Sequence, residues 1–133
     1  MTTSRQSLGR WGETLAAEYL CQRGYAILER NVRTPYGEID LIASETPPMG
    51  DPSGRSAPVT VFVEVKTRAS RAYGLPEESI TPRKRAHLLS AAQSYLQGHP
   101  ELDFGWRIDV IAIERYKREE APVILHFENA IFG

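Results

Sequence analysis

The stretch VFVEVKTR, residues 61 to 68, decides most of what the sequence predicts. Its apolar members, three valines and Phe62, are typical of a buried β-strand. Glu64 and Lys66 interrupt that apolar run with opposite charges. Because side chains alternate across a strand, Glu64, Lys66 and Phe62 are predicted to share one face, while the valines line the other. The sequence therefore predicts a core strand that carries two charges on one of its faces.

A second stretch, GEIDLIA at residues 37 to 43, repeats this mixture of acidic and apolar residues. Alternation predicts one face that carries Glu38 and Asp40 together with Ile42, and an opposite face formed by Ile39, Leu41 and Ala43. If the two strands are neighbours in a sheet, Asp40 and Glu64 converge and Lys66 lies beside them. The two segments together thus predict a cluster of opposite charges on a sheet.

The remaining segments alternate between helical and extended patterns. An apolar stripe at helical spacing predicts a helix over residues 8 to 22. Thr81 followed by Pro82 predicts the start of a second helix, which Gly98 ends. Extended patterns predict strands at residues 25–33, 104–116 and 123–132, the last near a sheet edge. With the two acidic strands, this order predicts an α/β fold in which a mixed central β-sheet is flanked by helices.

Residues 44 to 58, SETPPMGDPSGRSAP, separate the two acidic strands. They contain four of the nine prolines and two glycines. Proline cannot donate to a sheet ladder, and such a segment has little to contribute to a core. The composition therefore predicts a mobile loop.

The composition sets the broad class of the protein. The 133 residues predict a single domain spanning 1–133, and the one cysteine, Cys21, excludes an internal disulfide. The formal net charge of −1 gives no global basic excess, so a nucleic-acid partner would need a local patch. No apolar run approaches the roughly 18 residues of a membrane span, and the N-terminus lacks a secretory apolar stretch. No membrane association and a cytoplasmic location are therefore expected.

The charges on the two acidic strands have three interpretations. They form a structural ion pair of Lys66 with Glu64 or Asp40, or they decorate a solvated face, or they build a divalent metal site. Buried ion pairs contribute little net stability, because desolvation costs several kcal/mol per ion. Mg²⁺ prefers oxygen ligands and is typically held by one or two carboxylates plus substrate phosphate, which Asp40 and Glu64 are suited to provide. Lys66 would then orient a metal-bound water or stabilise charge on the attacked phosphate.

Four segments in this order, GRWGETLAAEYL, NVRTPYGEIDLIA, VFVEVKTR and WRIDVIAIE, resemble the YraN family of bacterial proteins. The E-V-K motif with the preceding acidic strand also resembles the PD-(D/E)xK superfamily, to which archaeal Holliday-junction resolvases belong. The E-x-K motif alone is weakly specific, whereas the four ordered segments are strongly so. The resemblance implies a nuclease-like domain of the restriction-endonuclease-like fold. It also implies an endonuclease that uses Mg²⁺ or Mn²⁺ on branched or damaged DNA and acts as a homodimer.

By position, the resemblance implies a role for each residue of the cluster. Asp40 and Glu64 match the metal-binding acids, Lys66 matches the catalytic lysine, and Glu13 on the first helix matches an acid that completes the metal and catalytic site. The backbone carbonyl of Val65 is a further expected metal ligand. The superfamily's proline is missing immediately before Asp40, as is common in resolvase-like members, and the loop at 44–58 is longer than the family usually carries. We interpret that loop as an insertion rather than a substrate-contacting lid.

A basic cluster lies at the start of the second helix. Cations at a helix N-terminus oppose the helix macrodipole, at about 0.3 to 1 kcal/mol each, so a negative partner is expected. Glu77 and Glu78 offer a local partner, and a nucleic-acid phosphate offers a functional one. The predicted nucleic-acid-binding residues are Arg68, Arg71, Arg83, Lys84 and Arg85.

Other polar residues have simpler interpretations. Arg107 and Asp109 share a strand face by parity and are predicted to form an ion pair rather than a metal site. The three histidines show no zinc spacing and are predicted to be surface residues. The sequence thus favours a metal-dependent endonuclease. The alternatives are a nucleic-acid-binding module of the same fold with little activity, and a structural charge network with no nucleic-acid partner.

Overall fold

The computed structural model describes residues 4–46, 57–69, 80–102, 104–117 and 119–131. Their helices and strands follow in the order α1 (Ser4–Gln22), β1 (Tyr25–Thr34), β2 (Gly37–Glu45), β3 (Val59–Arg68), α2 (Pro82–Gln97), β4 (Trp106–Glu114) and β5 (Val123–Ile131). A short 3₁₀ helix, Pro100–Leu102, follows α2. No helix in this described part of the chain is long and apolar enough to cross a membrane.

The five strands form one sheet in the order β1-β2-β3-β4-β5. All neighbouring pairs are antiparallel except β3 and β4, which run parallel. A parallel pair needs a long crossover connection, and α2 lies within the one between β3 and β4. The predicted mixed sheet flanked by helices is therefore confirmed, and β5 lies at an edge as predicted.

Each face of the sheet is covered by one helix. On the α1 face the valines of β3 pack with Leu20 and Ile111, and on the α2 face Phe62 packs with Leu88 and Ile108. The predicted alternation of β3 is confirmed by this division. The cap of α2 is also as predicted, because the Thr81 hydroxyl accepts a hydrogen bond from the Lys84 N–H. Both apolar layers thus follow from the sequence pattern.

Some element boundaries differ from the prediction. Helix α1 begins at Ser4 rather than residue 8, and β4 is shorter than the predicted strand. Strand β2 continues to Glu45, so the first two residues of the predicted loop at 44–58 belong to the sheet. Residues 47–56 of that loop lie outside the described residues, and its mobility stays a prediction.

The alternation of β2 breaks at Asp40, so one prediction of face was wrong. Leu41 packs on the α1 face as Ala43 does, but Ile39 packs on the α2 face. Val32, the Cα partner of Ile39 in β1, also packs on the α2 face. Asn31, which immediately precedes Val32 in β1, has a φ of 54°. This is a left-handed conformation that asparagine tolerates better than most residues. The irregular backbone of β1 at Asn31 therefore lies next to the point in β2 where the side chains stop alternating between the two faces of the sheet.

Helix α1 approaches β3 closely at Gly12. A Cβ atom at this position would lie 2.0 Å from Thr67 Oγ1 and 3.1 Å from Thr67 Cβ. We predict that Gly12→Ala lowers the free energy of unfolding by about 1 to 3 kcal/mol, because either the Thr67 side chain or the helix must shift to make room for the added methyl group. Gly9→Ala is the matched control on the same helix, since its Cβ would meet nothing within 4 Å. Urea unfolding that shows equal effects for the two substitutions would contradict this account.

Candidate metal and phosphate site

The candidate site lies where β2 and β3 separate. Their antiparallel pairing ends at Leu41, which is opposite Val63. Beyond this point the Val65 N–H donates to Asp40 Oδ2 at 2.9 Å, so a side-chain carboxylate takes a hydrogen bond next to the end of the ladder. The half-buried Asp40 side chain is thereby fixed beside the backbone of Val65.

Three carboxylates converge at this opening. One oxygen from each of Glu13, Glu38 and Asp40 lies within 4.8 Å of the other two. Glu13 comes from α1, as the resemblance implied, and Glu38 comes from β2. With its amide nitrogen turned toward them, Asn31 donates to Glu13 Oε2 and to Glu38 Oε1, each at 3.0 Å. The left-handed residue of β1 thus bridges two acids of the cluster.

Glu64 is 5% exposed and is not one of these three acids, but its negative charge acts on Asp40 and on Glu13. Its Oε1 is 3.6 Å from Lys66 Nζ and 3.5 Å from Lys84 Nζ. The Glu64–Lys66 ion pair, one of the interpretations that the sequence left open, is present. The burial of Glu64 excludes the interpretation of that residue as part of a solvated face. The approach of Lys84 from α2 was not predicted from the sequence.

The electrostatics of the site disfavour its negative charges. Burial, followed by the negative charge of Glu64, raises the pKa of Asp40 to about 7, against the lowering effect of the Val65 hydrogen bond. Burial also raises the pKa of Glu13, although the Asn31 hydrogen bond and the Arg30 charge oppose it. Ionised carboxylates at this distance repel one another. A cation bound among them would reverse that penalty.

The donor set fits a hard divalent cation. It consists of carboxylate oxygens, which Mg²⁺, Ca²⁺ and Mn²⁺ prefer over nitrogen or sulfur ligands. Asp40 and Glu64 are the two acids that the resemblance assigns to the metal, and the Val65 backbone lies next to Asp40. Glu38 is a third acid that the sequence placed on the face of Asp40 without a role. The spacing of two residues between Glu38 and Asp40 could have placed Glu38 in the site, because residues two apart on a strand share a face.

The predicted nucleic-acid-binding residues are distributed around the start of α2. Arg83 and Arg85 are exposed in its first turn, whereas Lys84 is half-buried and turned toward Glu64. Arg68 ends β3 and is half-buried. Arg71 lies outside the described residues. The structure therefore brings Lys84 into the acidic site and leaves two arginines facing solvent beside it.

A second polar cluster surrounds Asp109, which is fully buried. Arg107 Nε donates to Asp109 Oδ1 at 3.0 Å, which confirms the predicted pair. His126 lies 2.7 Å from Asp109 Oδ2 and 3.2 Å from the Tyr19 hydroxyl, and its side chain is only 7% exposed, so its predicted surface location was wrong. Burial raises the pKa of Asp109, but the hydrogen bonds from His126 and Arg107 outweigh it and hold that pKa below its ordinary value.

The fold and the site together define a mixed α/β domain of the restriction-endonuclease-like class, with an acidic cluster and a lysine where its central strands separate. Residues 12–113 match the model of the uncharacterised protein family UPF0102, and the chain belongs to that family, which includes YraN. It is 43% identical to a UPF0102 protein of Dehalococcoides mccartyi over 98% of both chains. It is 42% identical to one of Syntrophotalea carbinolica, over 98% of this chain and 95% of the relative. A UPF0102 protein of Corynebacterium efficiens is 41% identical over 100% of this chain and 98% of its own.

The raised pKa of Asp40 predicts a specific dependence of stability on pH. Since the folded pKa is about 7 and the ordinary value is 3.8, the folded protein holds this proton more tightly, and stability falls as pH rises from about 4 to 7. Asp40→Asn keeps an acceptor for Val65 and removes the charge. We expect a gain in stability of about 1 to 2 kcal/mol at pH 5 and a gain two to three times larger at pH 8 in metal-free buffer, measured by urea unfolding.

Asp109→Asn is the matched control for this prediction. Because the pKa of Asp109 is lowered by its partners, its charge is favourable in the folded state, and its removal is expected to destabilise the protein at both pH values. A loss of stability for Asp40→Asn at pH 8 would show that the Asp40 charge is stabilising and would refute the account of the site as self-repelling.

Proposed function

We propose that this protein is a metal-dependent DNA endonuclease that hydrolyses phosphodiester bonds, with Mg²⁺ or Mn²⁺ as its cofactor. The observation that carries the proposal is the convergence of Glu13, Glu38 and Asp40 beside the Glu64–Lys66 pair. A bound divalent cation would supply a Lewis acid for the phosphate and an acidified water as the nucleophile. The family membership is consistent with this proposal and leaves the activity to be tested.

Each residue of the site would have a separate role in such a reaction. Asp40 and Glu64 would hold the cation, with Glu13 and the Val65 carbonyl as further ligands. Lys66, whose ammonium group reaches the site from the same strand as Glu64, would stabilise negative charge on the attacked phosphate. Burial of the acids strengthens each of these interactions, because the local dielectric constant is lower than that of water.

The proposed substrate is branched or damaged DNA held by its phosphates. Arg83 and Arg85 are exposed at the N-terminus of α2, where phosphate is also favoured by the helix dipole. Contacts of this kind position a backbone and do not read bases, so selectivity for DNA shape rather than sequence is expected. A homodimer is part of the proposal, because a branched junction presents two equivalent strands to be cut.

Metal binding is tested by thermal unfolding in the presence of Mn²⁺ or Mg²⁺. A cation that binds only the folded protein stabilises it by about 2.7 kcal/mol at a hundred times its Kd. We expect this stabilisation in the wild type and its loss in Asp40→Ala. Glu18→Ala, an exposed acid of α1, is the matched control and is expected to keep the full effect. Equal stabilisation of the wild type and Asp40→Ala would place the cation elsewhere.

Activity is tested with labelled four-way junctions, flaps, single strands and plain duplexes incubated with Mn²⁺. We expect cleavage of branched substrates by the wild type and a loss of at least about a hundredfold in Lys66→Ala, since removal of one group that stabilises transition-state charge typically costs 10² to 10³. DNA binding by Lys66→Ala is expected to weaken far less than cleavage, because Arg83 and Arg85 still hold the DNA backbone. Metal-dependent stabilisation and salt-sensitive DNA binding without cleavage of any substrate would instead favour the nucleic-acid-binding module.

A further inference from the structure

Two ammonium groups from different elements meet at a single oxygen of Glu64. Lys66 reaches Oε1 from β3, and Lys84 reaches the same atom from the first turn of α2. The Glu64 side chain is 6% exposed, whereas the side chains of Lys66 and Lys84 are 31% and 39% exposed. Both lysines therefore extend from the solvent-accessible rim toward one buried carboxylate.

This arrangement is a poor choice for stability alone. A cation in the first turn of a helix opposes the helix dipole, which disfavours Lys84 at its position. Two ammonium groups that share one oxygen also repel each other, and a buried charged group is commonly replaced by apolar residues without loss of stability. The acids beside Glu64, by contrast, supply a reason for cations to gather here.

A divalent cation ligated by Glu64 would compete with both lysines for the same oxygen. The cation carries two positive charges, as the two ammonium groups do together, and it would repel them at close range. Displaced ammonium groups would still be tethered at the mouth of the site by β3 and α2. The nearest place for them is the phosphate that approaches the cation from solvent, since lysine is a common phosphate ligand.

We propose that Lys84 is a second phosphate-contacting lysine of this site, and that Lys84 and Lys66 exchange Glu64 for the substrate phosphate when a divalent cation occupies the acids. The inference rests on the proposed function and assigns Lys84 a role that differs from that of Arg83 and Arg85. Those arginines hold the DNA backbone outside the site. Lys84 first balances the charge of Glu64 and then contacts the phosphate at the metal.

The exchange predicts effects of opposite sign for one substitution. Removal of the Lys84 charge leaves the cation with one competitor fewer at Glu64, so metal binding is expected to become tighter by roughly fivefold, the upper range for a partly exposed ion pair. The same substitution removes a phosphate contact, so DNA binding and cleavage are expected to become weaker. A residue with a purely structural role would weaken both or alter neither.

The test uses Lys84→Met, which removes the charge and keeps an apolar stem of similar length. Mn²⁺ affinity is measured by the electron paramagnetic resonance signal of free Mn²⁺. Affinity for a fluorescent four-way junction is measured in Ca²⁺, and cleavage is measured in Mn²⁺. Arg83→Met is the matched control, because it removes the same charge from the adjacent exposed position. Lys84→Arg retains the charge and is expected to keep Mn²⁺ affinity near that of the wild type.

Tighter Mn²⁺ binding together with weaker junction binding in Lys84→Met, and unchanged Mn²⁺ binding in Arg83→Met, supports the exchange. Unchanged or weaker Mn²⁺ binding in a Lys84→Met protein that melts near the wild-type temperature overturns it, as does a wild type that binds no Mn²⁺. If Lys84→Met does not fold, Lys84→Gln replaces it, and unchanged or weaker Mn²⁺ binding by the folded Lys84→Gln protein also overturns the exchange. If Lys84→Met binds Mn²⁺ more tightly and the junction more weakly, but the wild type cleaves no substrate, the exchange is supported and only the endonuclease activity is rejected.

Discussion

Repulsion among carboxylates where β2 and β3 separate is the constraint on which the site depends. Three acids share a space of a few ångströms and a fourth lies beside them, so the fold must hold them together against their own charge. Several local features serve this purpose. Gly12 lets α1 pack directly on Thr67 and brings Glu13 to the sheet, and Asn31 bridges Glu13 to Glu38. A cation bound among these acids would relieve that repulsion.

A comparison within the same sheet separates this cluster from an ordinary structural ion pair. The Asp109 side chain is fully shielded from solvent and Asp40 is only half-buried. Even so, the pKa of Asp109 is lowered while that of Asp40 is raised to about 7. The difference lies in their partners. Asp109 accepts hydrogen bonds from an arginine and from a backbone N–H and lies against His126, whereas the nearest charges to Asp40 include another acid, Glu64. The structural interpretation of buried charge therefore accounts for Asp109 and does not account for Asp40.

The parts of this structure that follow from local pattern could be predicted from the sequence. The alternation of β3, the capped start of α2 and the face shared by Glu64 and Lys66 depend only on strand and helix periodicity. What could not be predicted depends on tertiary contacts or on irregular backbone. The change of side at Asp40 accompanies a left-handed residue in the neighbouring strand. The reach of Lys84 depends on how α2 packs against the sheet. The burial of His126 depends on contacts with Asp109 and Tyr19 from two other elements.

The charge arrangement at Glu64 also connects the two ligands of the proposed function. If one oxygen serves the lysines and the cation in turn, then a cation on the acids makes ammonium groups available to a phosphate, and a phosphate on the lysines makes Glu64 available to a cation. By thermodynamic linkage each ligand must strengthen the binding of the other by the same factor. Such coupling would keep the cation weakly held until DNA arrives, since the lysines occupy its ligand. On this argument, the opposite charges of Glu64 and Lys66 make the affinity for the metal depend on bound substrate. Neither a stable salt bridge nor a permanently occupied metal site would have this effect.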